Sequence, residues 1–185
     1  MDGVRQLEEI MPLLVALVDN ISDEQLGAPT PCAAFTVTSL LEHMIGGASA
    51  FAPAFRGEPP SAAPSDPAAP VKERWRAAMA DLMSAMNAAG AQERTIASPF
   101  GDVSGATFAR YVAFDGLIHG WDLATATGQP YAPAEEVVQE IDAFARQLIK
   151  PAMRDGTTFA AETLPPAGAS VLERLVAFSG REVPA

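Results

Sequence analysis

The chain carries one cysteine, Cys32, and two histidines, His43 and His119. A single cysteine excludes a disulfide within the chain and any Cys-x-x-Cys metal or redox motif. With two histidines, imidazole chemistry has two addresses and no others. Basic residues are also scarce, 12 Lys and Arg against 23 Asp and Glu, for a formal net charge of -11. Such a chain repels phosphate backbones, so no nucleic-acid partner is expected. An anionic small molecule stays admissible, because a local metal outweighs a distant acidic surface. No run approaches the ~18 apolar residues of a membrane-spanning helix, so no membrane partner is expected. The start, Met1 to Gln6, lacks a basic region followed by an apolar run, so the reading is a cytoplasmic protein without a signal peptide. There is no Gly-rich phosphate loop and no H-E-x-x-H motif, and neither Ser49 nor Ser104 has a histidine partner at a recognisable spacing.

What is present is a globular composition, 49% hydrophobic and 19% charged over 185 residues, enough for a full core without covalent staples. Apolar residues at helical spacing, Val4, Leu7, Ile10, Met11, Leu14, Leu17 and Val18, predict an amphipathic helix from about Val4 to Asn20. Pro12 inside it predicts a kink or a later start. A short capped turn at Ile21–Leu26 and a stiff connector at Ala28–Cys32 follow. A second helix is expected from about Thr38 to Phe55, capped by Thr36 or Thr38 and ended by Gly57. Residues 58–70 hold prolines at 59, 60, 64, 67 and 70 and read as a Pro/Ala-rich surface loop. A third helix is expected over Val71–Ala89 with Gly90 as its stop, then two short β pieces around a turn within 92–103. Ser104 caps a long fourth helix ending near Gly128, and Pro133 opens a fifth lasting to Ile149. The tail, 151–185, reads as a C-terminal extension with a strand near Thr157–Phe159 and a short helix over Ser170–Ser179. The fold class expected is mainly all-α, one domain over 1–185 with minor β pieces.

Both histidines fall on long helices. Asp115 stands four residues before His119, and positions i and i+4 lie one above the other on a helix face. Asp115 and His119 can therefore converge on one ion, and His43 can reach it from a neighbouring helix, the way helix bundles build metal sites from inward-facing side chains. Two imidazoles and one carboxylate suit Zn²⁺, Ni²⁺, Fe²⁺ or Mn²⁺, with zinc and nickel preferred. Three protein ligands leave a position for water or substrate, the pattern of a reactive metal and not of a closed structural one. Spacing alone leaves blander readings open: D-x-x-x-H also arises as a surface ion pair, and a lone histidine on an apolar helix as a hydrogen-bonded core residue.

The segments Thr30-Pro31-Cys32, Phe35-Thr36-Val37, Leu40-Leu41-Glu42-His43-Met44 and Gly46-Gly47, followed by Asp115-Gly116-Leu117-Ile118-His119-Gly120-Trp121-Asp122-Leu123-Ala124, resemble the metal-binding N-terminal domain of mycothiol-dependent maleylpyruvate isomerases. That family lies within the DinB-like superfamily of four-helix metal bundles. The ending Leu172–Arg181 is similar to the tail of a standalone subgroup. The resemblance implies a DinB-like four-helix bundle holding a divalent metal on His43, Asp115 and His119. It also implies mycothiol or another low-molecular-weight thiol as partner, an unidentified small substrate, and pairing of helix faces into a homodimer. The acidic ligand of the isomerases is usually glutamate and here is aspartate, whose shorter arm must bring the helix closer or bind through water. Their C-terminal substrate-binding domain has no counterpart expected in a chain of this length, so maleylpyruvate isomerisation is not carried over.

Three functional readings follow. The first is a metal- and thiol-dependent transferase or isomerase, the second a non-enzymatic metal or small-ligand binding protein, and the third an interaction module using the bundle as scaffold. Around the triad, Asp122 is read either as the acceptor that orients His119 or as the partner of a loop amide or an arginine. Cys32 is read as a reactive thiol or, preferably, as a small buried residue. Trp121 is expected in the core, Arg110 in solvent, and Glu42 about 100° away from His43 around the helix.

Overall fold

The computed structural model describes residues 1–59, 68–98, 101–156 and 158–184. It is mostly helical: α1 (Gly3–Asp19), α2 (Val37–Arg56), α3 (Val71–Met86), α4 (Gly105–Thr127), α5 (Glu135–Leu148) and α6 (Val171–Phe178), with a two-stranded antiparallel sheet, β1 (Thr95–Ser98) and β2 (Gly101–Ser104). No described helix is long and apolar enough to cross a membrane.

The caps explain most boundaries. Asp2 accepts the Arg5 amide at 2.9 Å, Thr36 caps α2 against Ser39, Ser104 caps α4 against Thr107, and Ser170 with Glu173 forms a capping box on α6, each supplying an acceptor to an otherwise orphaned amide. Gly57 and Gly128 close α2 and α4 in the left-handed region, with φ of 74° and 68°, which glycine enters without a Cβ clash. Four expectations need correction. α1 begins at Gly3 and continues through Pro12; Pro12 is on the exposed side, so the carbonyl it leaves unpaired faces water. α3 ends at Met86, three residues before Ala89, where the Asn87 side-chain amide turns back to the Met83 carbonyl at 3.0 Å. α5 begins at Glu135 and not at Pro133. No strand forms at Thr158–Phe159, because Asp155 captures the Thr158 amide at 2.7 Å and closes a turn; Thr157 lies outside the described residues. So do 60–67 of the proline-rich stretch and the two residues between β1 and β2.

The long helices pack as two close pairs, α1 with α4 and α2 with α3. α1 and α4 run the same way: a Cβ on Gly3 would meet Ala109 and Arg110, and Leu14 lies against Gly116 and Gly120. α2 runs opposite to α4, placing His43 beside His119 and Phe51 beside Phe108. α3 starts beside the end of α1, where Lys72 donates to the carbonyls of Asp19 and Ile21. α3 runs the same way as α2, with Arg74 against Glu42 and Asp81 against Arg56. Leu7, Ile10, Leu14, Leu40, Leu41, Phe55, Trp75, Leu82, Leu117 and Leu123 fill the core. α5 and α6 pack together, with α5 lying on α4.

Glycine is required at position 120: a Cβ there would sit 2.5 Å from the Tyr131 hydroxyl and 2.8 Å from Leu14. Gly46, also inside a helix, has open space where its Cβ would be. Gly120→Ala is expected to destabilise the fold by about 1–3 kcal/mol through overpacking. Gly46→Ala is expected to stabilise it by about 0.5–1 kcal/mol through helix propensity alone. Urea denaturation of the two variants checks both signs.

Candidate metal centre

α2 and α4 place the three expected ligands together. His43 projects from the second turn of α2, and Asp115 and His119 from successive turns of α4. One donor atom from each of the three lies within 4.8 Å of the others. The imidazoles of His43 and His119 meet edge to face with centroids 5.3 Å apart and planes at 80°. His119 Nε2 lies 3.3 Å from an Asp115 carboxylate oxygen. Donors around a divalent ion at ~2.0–2.1 Å are roughly 3–4 Å apart, so small side-chain rotations would bring this set onto one cation.

The two faces of the His119 ring have different partners. Its Nδ1 lies 3.0 Å from Asp122 Oδ2, which leaves Nε2 for the shared point between Asp115 and His43. Asp122 is fully buried, and its carboxylate also accepts from Arg181, at 3.0 Å from Nη2 and 3.4 Å from Nε. Both readings of Asp122 therefore hold at once: it orients the imidazole and pairs with an arginine. Arg181 follows α6, is mostly buried, and is held by its own amide on the Val176 carbonyl and by Thr163, whose hydroxyl donates to the Arg181 carbonyl. The sequence reading missed this role, and also that of Phe35, whose ring packs at 5.1 Å from His43 and 6.3 Å from His119. For Arg181 the available signal was a Gly-Arg pair just past the last helix.

The remaining candidates separate cleanly. Glu42 points away from His43 and pairs with Arg74 of α3, at 2.9 Å for one of its two hydrogen bonds. Trp121 is buried in the core. Arg110, expected in solvent, lays its guanidinium 4.2 Å over the Phe144 ring, a cation–π contact. Cys32 is half-buried on the wall of the cavity that the triad lines. Burial pushes its thiol pKa up, against an opposing pull from Arg181, the direction of a packed thiol and opposite to that of an activated one.

The cavity has a volume of about 600 Å³ and is walled by Phe35, Met44, Phe51, Phe108, Phe114 and Ile118 among others, with His43, Asp115, His119 and Arg181 on its polar side. Asp115 keeps half of its side chain accessible, and that surface lines the cavity, so protein charges act on it strongly. Burial alone would raise its pKa, but His119, His43 and Arg181 outweigh burial and hold the carboxyl below its usual range. Burial likewise disfavours a charged His119, yet Asp115 and Asp122 override it and raise the imidazole to about 9. His43 moves the other way: burial lowers its pKa, Asp115 opposes this, and His119 reinforces it.

The sign of the resulting pH dependence follows from linkage. A His119 pKa of about 9 in the folded protein, against roughly 6.5 when unfolded, stabilises the metal-free fold fully below pH ~6.5. That contribution is lost as pH rises through about 9. The Tm of the metal-free protein is therefore expected to fall between pH 6.5 and 9, and Asp122→Asn should flatten the slope. Differential scanning calorimetry across this range checks it, and a flat wild-type profile would contradict the charge coupling.

Residues 7–124 match the family described as mycothiol maleylpyruvate isomerase N-terminal domain. Among its relatives are two uncharacterised proteins of Mycobacterium tuberculosis, from strains CDC 1551 / Oshkosh and ATCC 25618 / H37Rv. Each is 35% identical over 186 residues, covering 99% of this chain and 100% of the relative. No solved structure matches the chain with significance. A match over more than half the chain, joined to similarity along its whole length, shows that this protein belongs to the mycothiol maleylpyruvate isomerase N-terminal domain family.

Proposed function

We propose that the protein binds one divalent cation on His43, Asp115 and His119 within a DinB-like helical bundle, and uses it for transferase or isomerase chemistry with a low-molecular-weight thiol such as mycothiol. The observation that carries this reading is the convergence of three donor atoms within 4.8 Å, at the edge of a cavity, in a chain of this family. The donor chemistry fits: two imidazoles and a carboxylate suit zinc or nickel, and a fourth position stays open to the cavity. A cation held there supplies a Lewis acid that lowers the pKa of a thiol or water.

The chain's own residues would do the rest. Asp122 faces Nδ1 of His119, the outer partner that imidazole ligands ordinarily require, so a cation would displace the Nε2 proton and bind there. Arg181 neutralises Asp122, so that carboxylate adds no net charge beside the site. Phe35 packs on both imidazoles and supplies an apolar wall beside them. Asp115, held ionised by its neighbours, is ready to bind a cation without first losing a proton. Aspartate in the acidic position supports a metal site here but not the specific isomerisation of maleylpyruvate.

Protein purified without a histidine tag is expected to take up about one Zn²⁺ or Ni²⁺ per chain, read by elemental analysis. His119→Ala should abolish uptake, while Asp122→Ala or Asp122→Asn should weaken affinity roughly 10–100-fold. With Co²⁺ in the site, a saturating thiol should shift the visible absorption. Less than ~0.2 metal per chain after incubation would overturn the metal reading; metal uptake with no spectral change would overturn the thiol. Thiol affinity without reactivity toward a panel of electrophiles would instead favour a non-enzymatic binding protein.

A further inference from the structure

We infer that the gap between α2 and α4 binds a small molecule with an extended apolar body and a single negatively charged head, the head facing His43, Asp115, His119 and Arg181. The body is argued from the cavity itself, and the head rests on the metal reading above.

The two helices touch sparingly, unlike the α1–α4 and α2–α3 pairs. The space they leave has two unlike ends. At one end the imidazoles of His43 and His119 stand 5.3 Å apart. At the other the rings of Phe51 and Phe108 meet with centroids 4.3 Å apart, beside Met79 and Leu82 of α3. His43, Gly47 and Phe51 occupy successive turns of one face of α2, so the ends are separated by roughly 12 Å. Between them the wall is apolar, with Met44, Gly47 and Ala48 from α2 and Val112 and Gly116 from α4, beside the phenol of Tyr111. A polar molecule filling this stretch would leave hydroxyls without partners, at a cost of a few kcal/mol each. An extended chain advances about 1.2 Å per bond, so about ten carbons span the gap. The volume of about 600 Å³ lies within the range of small-molecule sites.

The head follows from charge. A divalent cation with Asp115 and two neutral imidazoles carries one net positive charge, and Asp122 and Arg181 cancel. One anion neutralises the site on the side that opens to the cavity. Gly47 sets the depth of the gap. It lines the cavity midway along it, and a Cβ built there meets nothing within 4 Å. A side chain at 47 would therefore enter the ligand's space without striking the protein.

Isothermal titration of the protein, with and without one equivalent of Zn²⁺, against butanoate, hexanoate, octanoate and decanoate and the matching 1-alkanols tests this. Affinity is expected to rise about fourfold per methylene up to decanoate, with the alkanols sharing the slope but binding more weakly to the zinc form. Gly47→Phe and Gly47→Leu should each cost decanoate the equivalent of two or more methylenes, roughly 16-fold, with zinc stoichiometry unchanged. That stoichiometry also reports folding, so the leucine variant carries the test if the phenylalanine variant does not fold. A flat chain-length series, or decanoate binding unchanged in both Gly47 variants, overturns the apolar body. Equal binding of decanoate and decanol to the zinc form overturns the head. If zinc fails to bind while the slope persists in the metal-free protein, the metal reading falls and the cavity assignment stands.

Discussion

A carboxylate with no access to water is the constraint around which this protein is arranged. Asp122 is fully buried, and an ionised carboxylate there is sustainable only if its lone pairs are met. They are met by His119 within the same helix and by Arg181 from the chain after α6. The first contact fixes which imidazole nitrogen points at the triad. The second ties the C-terminal part of the chain to α4, because Arg181 can reach Asp122 only if α6 is docked on α5 and Thr163 and Val176 hold the following turn in place. The end of the molecule is thereby coupled to its centre by charge-assisted hydrogen bonds, which are the strong ones.

The same economy shapes the helix pairs. α4 must approach α1 closely enough for Gly3 and Gly120 to be needed, and Leu14 and Tyr131 fill what the missing side chains leave. α2 is held instead by α3, through Trp75, Met79 and Leu82 on the buried face of α3 and through the Glu42–Arg74 and Arg56–Asp81 ion pairs at the surface. The exposed Arg56–Asp81 pair contributes at most about 1 kcal/mol, the Glu42–Arg74 pair is half-buried, and apolar packing fills the space between them. Because each member of the α2/α4 pair has its principal partner elsewhere, the space between them stays open without loss to either interface. Phe51 and Phe108 meet at one end, and the triad stands at the other.

Much of this was legible from residue patterns, and the exceptions have physical causes. Apolar periodicity located the first helix, local signals located the others, and Thr36, Ser104, Ser170, Gly57 and Gly128 mark observed helix ends, because capping is local chemistry. Helical spacing put Asp115 and His119 together for the same reason. Pairing His43 with them depended on the likeness of its surrounding motif, since nothing in a sequence gives the direction in which α2 and α4 cross. Arg181 was illegible as a site residue because its partner is 59 positions away and its neighbours read as the frayed end of a helix. The strand anticipated near Thr158 failed to a side chain: threonine and phenylalanine favour extended backbone, but Asp155 binds the Thr158 amide first, a local competition that average propensity does not contain. Pro12 misled in the opposite sense, since a proline's cost depends on whether the freed carbonyl sees water.

The aspartate at position 115 acquires its meaning from the partners of His119. A carboxylate four residues before a histidine has little side chain with which to reach a common ion, and aspartate has one methylene fewer than glutamate. Yet Asp115 already lies 3.3 Å from His119 Nε2, because Asp122 and Phe35 hold that ring from its other sides. On the proposed metal reading the donor left to adjust is His43, which is the ligand expected from α2 and packs on Phe35 and His119 among the described rings. α2 makes few contacts with α4, so drawing His43 inward disturbs little of the core. On the proposed metal reading a short acidic arm suffices, because the imidazole beside it is already 3.3 Å away and the one opposite stands on a helix that touches α4 sparingly. The open gap that permits this movement is the same gap that the apolar cavity occupies, so the length of one side chain on α4 and the space available to a ligand are settled together.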